Sequence, residues 1–172
     1  TNMKNLFFLS IILLFSCDNK NTRFGEVKID DDKSIMIQKV FESVENEEIE
    51  YLKQVFSEDL EFTDPNGNIL NKGEFISGVE NIFDLFDNIK FKESPYEDHD
   101  NLEIETTYYS NGNVWTSIWS EFSGRGKYTN EIINFPFHIS YQWKGGKIIR
   151  EVQFFSTKVF DAENEAKSKV LQ

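Results

Sequence analysis

The side chains in this chain able to do chemistry are few and widely spaced. They are the thiol of Cys17, the carboxylate of Asp64 in the run Asp64-Pro65-Asn66-Gly67, the cluster Glu97-Asp98-His99-Asp100, the imidazole of His138 and the guanidinium of Arg150. A carboxylate such as Asp64 can take a proton from carbon next to a carbonyl, but aspartate before Pro-x-Gly also bonds its own backbone to close a turn. Arg150 suits an anionic or carbonyl-bearing ligand, or it pairs structurally with a carboxylate or an aromatic face. The Glu97 to Asp100 cluster offers oxygen and imidazole ligand types, yet four adjacent polar residues in a loop read as a solvated surface, so no metal site is expected. No Ser-His-Asp spacing, glycine-rich phosphate loop or zinc motif occurs.

These groups must be positioned by the elements around them. Asp30-Asp31-Asp32 precedes Ile37, Val40, Phe41 and Val44, apolar at the spacing of one helical face, with acid at the end that suits the helix dipole. Asn46-Glu47-Glu48 restarts a second helix with Ile49, Leu52 and Phe56 on one face. Leu60 to Asp64 alternates as a short strand. Asn71 and Glu74 then form the pattern of a capping box, opening the longest clear helix with Phe75, Ile76, Val79, Ile82, Phe83 and Phe86. From Ile89 the period changes to two, with turn signals at Ser94-Pro95, Asn111-Gly112, Gly124-Arg125-Gly126 and Gly145-Gly146. Helices first and strands last predict an α+β domain, its antiparallel sheet packed on helices. Residues 161–172 are polar with scattered apolar positions and read as a tail.

Two-residue turns would fix register and therefore the composition of each sheet face. A turn at Asn111-Gly112 pairs Tyr108 with Trp115, Thr106 with Ser117 and Ile104 with Trp119 on the inner face. A turn at Gly145-Gly146 pairs Trp143 with Ile148, Tyr141 with Arg150, Ile139 with Val152 and Phe137 with Phe154, leaving His138, Ser140, Gln142, Glu151 and Gln153 outside. The expected walls of an internal pocket are then Tyr108, Trp115, Trp119 and Tyr141, with Arg150 as the one cation on an apolar face.

Composition narrows the partners. The formal charge is −12 and no basic stretch exists, so nucleic acid is not an expected partner. With 39% hydrophobic residues, among them 17 Phe, the chain has material for a core rich in rings.

Met3-Lys4-Asn5 leads into an apolar run from Leu6 to Phe15 that is too short for a membrane span of about twenty residues and has the layout of a secretory signal. Its end, Leu14-Phe15-Ser16-Cys17, resembles a bacterial lipoprotein box. The resemblance implies an acylated Cys17, removal of residues 1–16, export, and lipid anchoring to the cell envelope, with residues 17–32 as a flexible tether. An acylated Cys17 would leave no thiol for disulfide, nucleophile or metal ligand.

The order of elements, with Phe62-Thr63-Asp64-Pro65-Asn66-Gly67 and Trp143-Lys144-Gly145-Gly146-Lys147-Ile148, resembles the nuclear transport factor 2-like superfamily over residues 33–160, closest to its SnoaL-like and ketosteroid isomerase-like branches. The resemblance implies a curved sheet wrapped around a long helix as a cone, a pocket for a small apolar or aromatic molecule, no cofactor, and in many relatives a homodimer or other contact through the outer sheet face. It also aligns Asp64 with the general base of the isomerases. The positions matching their proton donors fall at Val40 or Phe41 and near Ile139, none of which can donate. A missing oxyanion donor costs roughly a hundredfold or more, so binding without catalysis is the first expectation and an isomerase or cyclase using Asp64 the second.

Overall fold

The computed structural model describes residues 24–92 and 103–170. Cys17, the signal-like run, the Ser94-Pro95 turn and the Glu97 to Asp100 cluster lie outside the described residues.

The elements run β1 (Glu26–Lys28), α1 (Asp32–Glu45), α2 (Ile49–Val55), β2 (Phe56–Thr63), β3 (Ile69–Leu70), α3 (Lys72–Leu85), β4 (Phe86–Lys92), β5 (Glu103–Tyr108), β6 (Val114–Gly126), β7 (Ile132–Lys144), β8 (Lys147–Phe154) and α4 (Lys158–Val170). Local chemistry explains the starts of α1 and α3. Asp31 caps α1 through a bond from the Ser34 amide at 2.9 Å. Asn71 and Glu74 make the reciprocal capping box at the start of α3, as their spacing predicts.

The strands form one curved sheet in the order β1-β5-β6-β7-β8-β2-β3, with β4 also paired to β6. It is antiparallel except where β2 runs parallel to β8, a pairing that an all-antiparallel expectation missed. α1, α2 and α3 fill the concave face. Phenylalanine rings do much of the packing there: Phe56 meets Phe75 at 4.5 Å and Phe41 meets Phe91 edge-on at 4.8 Å between centroids. Each such ring, fully buried, contributes about 1.5–3 kcal/mol.

Both ends of the domain extend further than composition suggested. Glu26–Lys28, inside the expected tether, adds an edge strand to β5. The expected tail is α4, fastened at two points. The carboxylate of Glu163, 2% exposed, accepts the backbone N–H groups of Tyr128 and Thr129, and Phe160 packs against Phe86 and Phe135. Those partners lie far away in sequence, out of reach of any local pattern.

The two hairpins depart from the expected registers. At the first, Tyr109 and Asn113 close a three-residue loop, with Gly112 at φ +85° in its last position. This is the geometry of a type I turn followed by a left-handed residue. Tyr108 therefore pairs with Val114, Thr106 with Thr116 and Ile104 with Ile118. A slip of one residue reverses every side chain on the incoming strand, so Trp115 and Trp119 stand on the outer face instead of inside.

At the second hairpin Gly145 and Gly146 do form a two-residue turn, both at positive φ as a type I′ turn demands. Trp143 pairs with Ile148 as expected, but a bulge follows and Gln142 pairs with Arg150. Beyond it Tyr141 faces Glu151 and Ile139 faces Gln153. Arg150, Val152 and Phe154 are turned outward, while Glu151 and Gln153 are turned inward, the reverse of the uniform register.

Candidate functional site

The concave face encloses an apolar cavity of about 90 Å³. Val40 and Phe41 come from α1, Phe75 and Val79 from α3, and Phe160 from α4. β7 and β8 bring Tyr141 and Glu151, the two titratable groups among the lining residues. An adjoining cavity of about 180 Å³ shares Phe75, Val79, Gln153 and Phe160 and is also lined by Asp64. An engineered apolar cavity of about 150 Å³ accepts benzene, so the inner space suits a smaller molecule, or one that extends into the neighbouring cavity.

Glu151 is the unusual group. It is 1% exposed, its Oε1 accepts from Gln153 Nε2 at 2.6 Å, and its Oε2 is buried without a partner. Burial pushes its carboxyl up to about 8 despite the opposing hydrogen bond from Gln153, so the acid is largely protonated at neutral pH. Burial, and secondarily the nearby Glu151, also pushes the Tyr141 phenol far above its ordinary range. On the strand beside β8, Phe62 lies opposite Glu151. No cation among the lining residues balances this carboxyl. A uniform two-residue period hides the site; the doublet Ile148-Ile149 is the one local sign that alternation breaks there.

The residues expected to act fall in several places. Tyr141 lines the cavity, as do Val40, Phe41 and Ile139, the positions without donors. Tyr108 lies on the inner face at the opposite end, where its hydroxyl bonds Asp31 and Lys33 Nζ sits 5.1 Å above its ring. Arg150 pairs through Nη2 with Glu61 at 2.9 Å; its side chain is partly exposed, while its Nε is buried without a partner. Trp115 lines a shallow outer groove of about 260 Å³ with Tyr109, Ser117 and Ser140. Trp119, 38% exposed, lies over His138 at 4.4 Å between ring centroids.

Asp64 is committed to its turn. One carboxylate oxygen accepts the backbone N–H groups of Asn66 and Asn68 at 2.9 and 2.8 Å, and the other accepts Asn68 Nδ2 at 2.8 Å. Slight burial pushes its carboxyl up, but the bonds from Asn68 and Asn66 outweigh this and hold it below the ordinary range. A base works best with a pKa near the working pH; the turn instead lowers that of Asp64 and occupies three of the lone-pair sites of its carboxylate.

Among the described residues no group of three His, Cys, Asp or Glu side chains is placed to hold a metal ion, and no helix is long and apolar enough to cross a membrane.

No family model and no curated protein matches the chain by sequence. Solved structures match it in fold. A SnoaL-like polyketide cyclase from Agrobacterium tumefaciens superposes with a TM-score of 0.54 at 12% identity, covering 76% of this chain and 95% of its own. A protein of ketosteroid isomerase-like fold from Catenulispora acidiphila, in complex with trimethylamine, superposes at 0.53 with 15% identity, covering 70% of this chain and 85% of its own. With its sheet curved around α3 and its neighbours of SnoaL-like and ketosteroid isomerase-like structure, the chain has the nuclear transport factor 2-like α+β fold.

Proposed function

We propose that this domain binds a small, mainly apolar molecule in the cavity between α1, α3 and the sheet, holding one polar group of that molecule on Glu151. The observation that carries the reading is the unpartnered Oε2 of a fully buried carboxyl whose residue lines a mainly apolar cavity, with Tyr141 and Gln153 as the other polar side chains there. Such a group costs about 1–3 kcal/mol while it lacks a partner, and a ligand that supplies the partner recovers that cost. Trimethylamine, held by one structural relative, is of the scale of this cavity. A thermal-shift screen of small apolar compounds tests the proposal. Stabilisation of the wild type that disappears in the cavity-filling variant Val79→Phe is expected; no response to any compound would overturn it.

A second reading is favoured by a specific property of the same residue. A carboxyl pushed to about 8 is suited to proton transfer near neutral pH, and one structural relative is described as a polyketide cyclase. In that case Glu151, not Asp64, is the acid or base, and turnover would vanish in Glu151→Gln but survive in Asp64→Asn.

We further propose export and lipid anchoring through Cys17, supported by the signal-like run before it. Intact-mass measurement of membrane-extracted protein should find an acylated Cys17; an unmodified polypeptide would remove the anchor.

A further inference from the structure

We infer that the cavity is selective for amines, taken up as ammonium ions whose N–H meets the free oxygen of Glu151 while aromatic rings surround the charge. The inference rests on the binding function proposed above and assigns its ligand class.

The geometry presents an acid without a base. Glu151 Oε2 is buried and unpaired, and the lining residues of α1, α2, α3 and α4 are apolar, so none offers a counter-charge. β7 contributes Tyr141, the other titratable group facing the carboxyl, and β2 places Phe62 beside it; the nearest cation along the strand, Arg150, is turned to the opposite face and paired with Glu61. The remaining walls include the rings of Phe41, Phe75, Phe137, Phe155 and Phe160. Aromatic faces attract a desolvated cation. A neutral carbonyl ligand would take one hydrogen bond from the protonated acid and gain only apolar contact from those faces. An ammonium ion gains both the ion pair and the rings, and the charge of −12 on the chain draws cations toward it.

The proton balance follows. With the carboxyl at about 8, an ammonium ion entering at neutral pH replaces the Glu151 proton, and close to one proton passes to solvent for each amine bound. Apparent affinity should therefore rise about tenfold per pH unit below 8 and level off above it, until the free amine itself loses its proton.

Pyrrolidine and cyclopentanone are a suitable probe pair, five-membered rings of similar size carrying an amine and a carbonyl. Titration calorimetry in two buffers of different ionisation enthalpy, from about pH 6 to 9, spans the titration of the carboxyl and reads both affinity and protons released. The expected result is pyrrolidine binding that strengthens with pH, releases a proton near neutral pH, and is lost in Glu151→Gln while cyclopentanone binding persists there. The glutamine side chain in that variant is shaped like the protonated acid, and retained cyclopentanone binding would show that the variant is folded. Cyclopentanone bound as tightly as pyrrolidine at every pH, or pyrrolidine binding without proton release, would overturn the amine assignment and leave the binding function standing. Binding of neither probe by wild type would remove both.

Discussion

Two ends of the same concave face treat buried polar groups in opposite ways. Near the start of α1, Trp143 Nε1, Thr116, Thr106, Ser34 and Asp31 form a chain of hydrogen bonds at 2.8, 2.8, 3.1 and 2.7 Å. Its direction is forced: indole N–H only donates and an ionised carboxylate only accepts, so each hydroxyl accepts from the tryptophan side and donates toward Asp31. Every member is satisfied. At the other end Glu151 has one oxygen bonded to Gln153 and one bonded to nothing. A completed network rigidifies and specifies a fold, whereas an incomplete one in a cavity leaves free energy for a ligand to recover. The first end holds α1 on the sheet, and the second keeps an unpaired acceptor that the ligand of the proposed function would complete.

The ends also carry opposite pH signatures, which offers the strongest way to break the comparison. Glu151 has its carboxyl raised from the ordinary 4.5 to about 8, so its protonated folded form is fully stable below about pH 4.5, and stability is lost as pH rises toward 8. The slope is about 1.4 kcal/mol per pH unit. In urea denaturation followed across that window, Glu151→Gln should remove this part of the slope and be the more stable protein at the alkaline end, by several kcal/mol. An unchanged slope would show that Glu151 is not the buried acid described.

Thr116→Val should cost about 2–3 kcal/mol in the same measurement, because it strands the Trp143 N–H and removes the donor to Thr106. This loss should not vary between about pH 5 and 8, where no member of that network titrates; a cost confined to high pH would tie the two ends together.

Asp31→Ala should cost about 1 kcal/mol as a lost helix cap. Burial pushes Asp31 up, but the bonds from Tyr108 and Ser34 prevail and hold it at about 2. Its contribution is present above the ordinary value of 3.8 and lost as pH falls toward 2, so the variant should flatten the acid limb alone. The same contact, after burial, pushes the Tyr108 phenol up to about 12.

Asp64→Asn should have the smallest effect, under about 1 kcal/mol, since the amide oxygen can still accept from the turn. It should leave probe binding unchanged. A loss of binding there would move the site from the inner cavity to the adjoining one.

Much of the helical half was legible in the chain because its signals are local. The Asn71–Glu74 box, the acid before α1 and the apolar spacing of Phe75, Ile76 and Val79 each lie within a few residues of what they determine. The sheet faces were not legible to the same degree, since inside and outside depend on a single residue of loop or bulge. Ser110-Asn111-Gly112 accommodates a three-residue loop as readily as Asn111-Gly112 makes a two-residue one. That difference moved Trp115 and Trp119 out, and the bulge after Ile148 moved Glu151 in and Arg150 out.

From its sequence alone this chain determined its α+β class and the starts of α1 and α3, because hydrophobic period and capping chemistry act over one or two turns. Tertiary structure decided which carboxyl is buried. Asp64 finds its donors within four residues and stays at the turn, while Glu151 owes its burial to a bulge on β8 and to rings brought from α1, α3 and α4. The environment that shifts an acid is assembled from distant segments, and no local pattern carries it.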